Sequence, residues 1–114
     1  MAMAEIYDDF TIEPLGEHER AAIRVAGEID IATASRLADH LERLTDLSVD
    51  GDVHVDAADV TFLDSSGLRV LVGASARLRV GGHRLVVLNP SPPFRRTLEL
   101  AGLLHEFLPP PSDC

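Results

Sequence analysis

The sequence predicts a single α/β domain on a mixed, mostly parallel sheet. It begins with an N-terminal antiparallel hairpin and carries three main helices, in the order β-β-α-β-α-β-α-β. Three observations carry this. Apolar and polar residues alternate early in the chain, the period of a half-buried strand. Apolar stripes at helical spacing recur between residues 34 and 78. Short apolar runs bounded by Gly, Pro and Asn fall between and after those stripes, and strands alternating with helices imply right-handed crossovers and parallel pairing.

Phe10-Thr11-Ile12-Glu13-Pro14-Leu15 alternates as a strand, and Pro14 points to an edge position. Gly16-Glu17-His18-Glu19 reads as a turn, and Arg20 to Ala26 as a second strand ended by Gly27, so the two form a hairpin. Ala34, Leu37, Ala38, Leu41 and Leu44 then make one helical stripe, with Asp30 or Thr33 as its cap and Asp50-Gly51 as the turn after it. Val53-His54-Val55 is a short strand running into Asp56, followed by a connection anchored by Val60 and Phe62. Asp64-Ser65-Ser66-Gly67 opens a second helix with the stripe Leu68, Leu71, Val72, Ser75 and Leu78, broken at Gly81-Gly82.

Leu85-Val86-Val87-Leu88 is a continuous apolar run, the mark of a strand covered on both faces. A third helix follows, with Ser91 at its N-cap, Pro92 in its first position and Gly102 at its stop. Leu103 to Leu108 reads as a last strand. The domain is expected over residues 10–108, with 1–9 a loose N-terminal segment and 109–114 a proline-rich tail.

At 114 residues the chain is one domain, and it buries roughly two-thirds of its unfolded surface, enough for a core without disulfides or metal. Hydrophobic residues make up 46% and aromatics 4%, with no Trp, so Leu, Val, Ile and Ala build that core. The net charge is −9, from ten Arg, no Lys and 19 acids. It is unevenly spread: residues 1–64 hold 16 acids and four Arg, residues 65–114 three acids and six Arg. Phosphate-backbone binding needs a basic face, so direct nucleic-acid binding is excluded as an expectation, and a basic protein partner or a solvated acidic face takes its place.

The single Cys114 forms no internal disulfide. Met1-Ala2-Met3-Ala4-Glu5 has no basic start, and no apolar run approaches the ~20 residues of a membrane span, so no membrane role and a cytoplasmic location are expected. His18, His40, His54, His83 and His105 are scattered without metal-ligand spacing, and no Gly-x-x-x-x-Gly-Lys loop is present. No metal, cofactor or ATP site is expected.

The unusual feature is Phe62-Leu63-Asp64-Ser65-Ser66-Gly67-Leu68, which places two hydroxyls at a strand-to-helix junction. Capping is the plain reading: Asp64 can accept from the amides of Ser66 and Gly67, worth about 1 kcal/mol. A cap needs only one side chain, which leaves Ser65 and Ser66 without a structural duty. Spacing alone still favours a purely structural first turn.

The segment closely resembles the phosphorylation motif of the STAS domains of anti-sigma factor antagonists, an apolar pair followed by Asp-Ser-Ser-Gly-Leu. Gly27-Glu28-Ile29-Asp30 with Thr33 resembles that family's stretch before its first helix. Asp56 matches the polar residue ending the central strand. Gly81-Gly82 to Asn89-Pro90, and Arg96 through Leu98 to Gly102-Leu103, match the later strand and third helix. The resemblance spans about residues 10–107.

It implies a switch. The unmodified protein would bind an anti-sigma factor that is also a serine kinase, releasing a sigma factor. Phosphorylation of Ser65 would end the complex, and a serine phosphatase would reset it. Asp30, Thr33, Asp64, Ser66 and Gly67 would lie on the contact surface. Family members commonly carry a further helix after the last strand, where this chain has Pro109-Pro110-Pro111, so uncovered apolar surface and self-association are expected. Two other readings compete: a STAS scaffold subunit of a stress-signalling or lipid-transport complex with Ser65 unmodified, and a small hydrolase using Ser65 or Ser66. The sequence offers no base and no nucleophile elbow for a hydrolase, and the chain is read as a kinase substrate rather than an enzyme.

Overall fold

The computed structural model describes residues 5–7, 10–15, 21–47 and 51–109. Its elements are β1 (Glu5–Tyr7), β2 (Phe10–Leu15), β3 (Ala21–Ile29), α1 (Ile31–Leu47), β4 (Val53–Leu63), α2 (Ser65–Val80), β5 (Leu85–Leu88), α3 (Pro92–Leu100) and α4 (Leu104–Phe107). The expected turn at Gly16–Glu19, residue Asp50, and the tail from Pro110 to Cys114 lie outside the described residues.

The five strands form one sheet in chain order. β1 and β3 flank β2 antiparallel, while β3, β4 and β5 run parallel. The α/β class, the antiparallel hairpin and the three main helices are as the sequence predicts. Glu5–Tyr7, within the stretch expected to be loose, adds β1 outside the hairpin. β1 pairs only with Phe10 to Ile12, so it stops short of Pro14, where a missing N–H would spoil a ladder.

One sheet face carries Ile23 and Val25 of β3, Val53 and Val55 of β4 and Leu85 and Val87 of β5, all at 2% exposure or less. Helices α1 and α2 pack against these strands and against each other. Ala34, Leu37 and Leu41 of α1 are buried, as their spacing predicts. On α2 the buried stripe is Gly67, Leu71, Ala74, Ser75 and Leu78, so Val72 of the expected stripe stands outside it and is 43% exposed.

Three expectations are overturned. Strand β4 does not end at Asp56 but continues to Leu63, and β3 continues through Gly27 to Ile29. Register shifts lie between Arg24 and Ala26 and between Gly27 and Glu28. At each, β4 spends one residue more than β3, the signature of a β-bulge. Each bulge resets the in-out alternation, so the burial pattern changes after Ala57 and the segment no longer looks like a strand. Asp56 sits at the first bulge, not the strand end: its Oδ1 accepts from the Ala58 amide at 3.0 Å and its Oδ2 from Asn89 Nδ2 at 3.4 Å. Gly27, with φ of 93°, supplies a backbone conformation beside the second bulge that other residues reach only with strain.

The expected last strand is instead helix α4. Leu104 and Phe107 are buried three residues apart, while His105 and Glu106 between them are exposed, which is a helical and not a strand period. Arg84 closes that helix by donating to the carbonyls of Glu106 and Leu108 at 3.3 and 3.2 Å.

Helix α3 covers the part of β4 that β5, which pairs only up to Asp56, does not reach. The Ala57 carbonyl accepts from the Ser91 amide, the Val60 carbonyl from Ser91 Oγ at 2.6 Å, and the Leu63 carbonyl from Thr97 Oγ1 at 2.8 Å. Ser91 also caps α3 as expected, accepting from the Phe94 amide. Gly102, at φ 72°, stops α3 with paired bonds from the Gly102 and Leu103 amides to the carbonyls of Glu99 and Leu98.

Ser91→Ala removes a cap and strands a buried carbonyl, so it should lower unfolding free energy by about 2 kcal/mol in urea denaturation. A change within 0.5 kcal/mol would show that α3 is not held on β4 by this hydroxyl.

Candidate functional site

The residues singled out in the sequence come together because two parallel strands end level. Ile29 and Leu63 are register partners, the last residues of β3 and β4. The Asp64 amide donates to the Ile29 carbonyl at 3.2 Å. Asp30 and Asp64 therefore leave the sheet side by side, each immediately before a helix. In an open parallel sheet this edge, beyond the carboxyl ends of the strands, is where binding groups collect.

Each aspartate caps its helix. Asp30 Oδ1 accepts from the amides of Ala32 and Thr33 at 2.9 and 3.2 Å. Thr33 answers in the opposite direction, its Oγ1 accepting from the Asp30 amide at 3.0 Å. The sequence left Asp30 and Thr33 as alternatives, and the two instead cap reciprocally. Thr33 Oγ1 further donates to the Glu28 carbonyl at 2.9 Å, tying α1 to the end of β3. Asp64 Oδ1 accepts from Ser66 at 2.9 Å and from Gly67 at 3.3 Å, the bonds its position predicts. Among the described residues, the second carboxylate oxygen of each aspartate has no hydrogen-bond partner.

The two serines differ. Ser65, the first residue of α2, is exposed, and its hydroxyl forms no hydrogen bond among the described residues. Ser66 is half-buried. Gly67 is buried where α2 crosses the strand ends: a Cβ there would lie 2.5 Å from Ile29 Cγ2 and 2.6 Å from Leu63 Cδ1. Leu63 could swing its methyl aside, but Ile29 Cγ2 is fixed at a branched Cβ and yields only if the backbone moves. The glycine is thus a packing requirement that lets α2 sit close to both strands.

Sequence reasoning missed Ile31. It is spaced three from Ala34 and so resembles part of the α1 stripe, yet it is 81% exposed because the first turn of α1 projects past the sheet. The signal available was position: an isoleucine directly after a capping aspartate has no layer beneath it. The ends of β3 and β4 and the first helical turns after them therefore combine acids (Glu28, Asp30 and Asp64) with two exposed apolar side chains, Ile31 and Phe62. Among the described residues no group of three or more His, Cys, Asp or Glu is placed to hold a metal, and no helix is long and apolar enough to cross a membrane.

Helix propensity alone would make Gly67→Ala stabilising by about 1 kcal/mol. The clash should reverse that sign, with a net loss of about 1–3 kcal/mol in thermal or urea unfolding. A stabilised variant would show that α2 does not press on Ile29.

The comparisons with known proteins bear on this arrangement. A family model described as "Mlab, STAS domain" matches residues 16–109. An anti-sigma-B factor antagonist from Staphylococcus epidermidis is 31% identical over 97 residues, covering 83% of this chain and 87% of that protein. The one from Staphylococcus aureus has the same identity and coverage. Among solved structures, an anti-sigma factor antagonist from Mycobacterium paratuberculosis superposes with a TM-score of 0.72 at 28% identity, covering 91% of this chain and 88% of that one. SpoIIAA in its unphosphorylated form superposes with a TM-score of 0.70 at 20% identity, over 99% and 90% of the two chains, and supports the fold. With the level strand ends, the paired caps and the match over nearly all described elements, the chain belongs to the STAS-domain family.

Proposed function

We propose that this protein is an anti-sigma factor antagonist whose α1–α2 edge docks on an anti-sigma factor with serine kinase activity, releasing a sigma factor. Phosphorylation of Ser65 by that kinase ends the complex, and a serine phosphatase restores it. The observation that carries this is the exposed Ser65 hydroxyl, idle in the fold and directly after one of the two capping aspartates that leave the level ends of β3 and β4. The relatives, themselves anti-sigma factor antagonists, support an anti-sigma factor as the partner class. SpoIIAA, a structural neighbour, has been solved both unphosphorylated and phosphorylated.

Each residue has a role in this reading. Asp30 and Asp64 hold the helix N-termini and offer their free oxygens to basic groups of the partner. Thr33 and Gly67 fix the approach of the helices, Ser66 lines the surface beside Ser65, and Ile31 supplies an apolar contact. The protein is the substrate of the chemistry and not its catalyst.

The physics of the switch follows from charge. A phosphate adds about −1.5 to −2 charges and three acceptor oxygens. On the free domain it meets the positive end of α2 and stays in water, so the fold tolerates it. In a complex the same group is desolvated beside Asp64 and Asp30, and an unpaired buried charge costs several kcal/mol.

Phosphorylated protein should therefore keep its circular dichroism spectrum and lose about a hundredfold or more in partner affinity, each 1.4 kcal/mol being about tenfold. Ser65→Ala should keep binding and resist modification. Incubation with the cognate kinase and ATP, read by mass spectrometry, separates this from a scaffold subunit, which would stay unmodified. Unchanged affinity after stoichiometric phosphorylation would sink the switch.

A further inference from the structure

Helix α2 has a charge pattern that its fold does not use. Between Ser65 and Val80 it carries three arginines, Arg69, Arg77 and Arg79, and no acid. Arg79 is paired with Glu106 of α4. Arg69 is exposed and has no acidic neighbour three or four residues away on its own helix in either direction. Among the described residues it forms no ion pair or hydrogen bond. It lies four residues after Ser65.

That spacing is directional. A long side chain on a helix leans toward the N-terminus and covers the turn before its own Cα, so the turn within reach of the Arg69 guanidinium is the one that holds Ser65. An anion four residues before a cation is also the better order for a helical ion pair, since both charges then agree with the helix dipole. Resting on the proposed modification of Ser65, we infer that Arg69 is the built-in counter-cation of phosphoserine 65. A guanidinium offers a planar fork of N–H donors that matches phosphate oxygens, which a lysine lacks.

The pairing has two consequences. The phosphate is held on the domain by Arg69 and the positive end of the α2 dipole, so the modified protein is at least as stable as the unmodified one. The engaged phosphate also offers fewer free oxygens to an outside group, so the phosphatase must displace Arg69 before hydrolysis. Arg69 acts here as a positioning residue, not a catalytic one.

The test uses the full chain with phosphoserine installed genetically at position 65, so that it needs no kinase. Phosphorus NMR would follow the second phosphate ionisation in the wild type, Arg69→Gln and Arg69→Lys. The acids at the ends of β3 and β4, Glu28, Asp30 and Asp64, are the same in all three, so the difference isolates Arg69. Arg69→Gln should titrate about 0.3 pH unit higher than wild type at low salt, from the usual strength of a helical ion pair. Arg69→Lys should fall between, and the difference should shrink in 1 M salt.

Phosphorylation should raise the melting temperature of the wild type relative to that of phosphorylated Arg69→Gln, while the unmodified forms melt together. If Arg69→Gln fails to fold, Arg69→Lys and the salt dependence of the wild type carry the same comparison. Identical, salt-independent titrations would overturn the inference. So would a loss of partner binding by unmodified Arg69→Gln with no change in titration, which would assign Arg69 to the partner's surface. A protein that the kinase never modifies would refute the proposed function while leaving the ion pair intact.

Discussion

The structure turns on the level ending of β3 and β4, where Ile29 pairs with Leu63 and the Asp64 amide closes onto the Ile29 carbonyl. That alignment is not a consequence of equal strand length, because β4 has 11 residues against nine in β3. The two bulges absorb the surplus. At about 3.3 Å per residue, an unbulged β4 would overshoot by roughly 7 Å, and the capping aspartates would be a full helical turn out of line. Asp56 and Gly27, which hold the bulges, therefore place the site from residues well back along the strands.

Three serines show how the fold assigns one side chain different work. Ser91 caps a helix and donates to a strand carbonyl, so its hydroxyl is spent on structure. Ser75 is buried within the α2 stripe. Ser65 follows a cap already supplied by Asp64, at a helical position whose own amide needs no intrahelical partner. Its hydroxyl can change charge without taking a hydrogen bond from the fold. Chemical accessibility and structural idleness thus have one origin, the presence of aspartate rather than serine at the cap.

Much of this was legible in the sequence wherever the determinants are local. Caps at Asp64 and Ser91, the stop at Gly102 and the apolar run of β5 depend on neighbours within a few residues, and they form as read. What escaped depends on distant partners. The second half of β4 lost its alternation at bulges that only the register with β3 defines. The LLHEFL stretch becomes α4 because Leu104 and Phe107 find a core to enter three residues apart. Ile31 has helical spacing but no layer beneath it, a fact about where the sheet ends. The site residues were readable as a group because a motif encodes them, whereas the reason for Gly67, that a Cβ there would lie 2.5 Å from Ile29 Cγ2, needs both strands in place.

The charge asymmetry acquires meaning from the same junction. Asp64 is the last acid before Glu99, so Ser65 stands at the seam between an acidic first half and a basic second half. An added phosphate therefore has two different surroundings. Toward the helix behind it lie Arg69 and a positive dipole end, which would hold it at little cost to the domain. Toward the outer edge lie Asp30, Asp64 and Glu28, already suited to a basic surface and made still more negative. If charge attraction alone drew the partner, phosphorylation would tighten binding. The release proposed above instead requires the docked site to be dry and closely fitted, so that desolvating the new charge outweighs its attraction to any cation opposite. Under the proposed function the switch works by exclusion, and Ile31, exposed in the first turn of α1, is the kind of contact that makes such an interface dry.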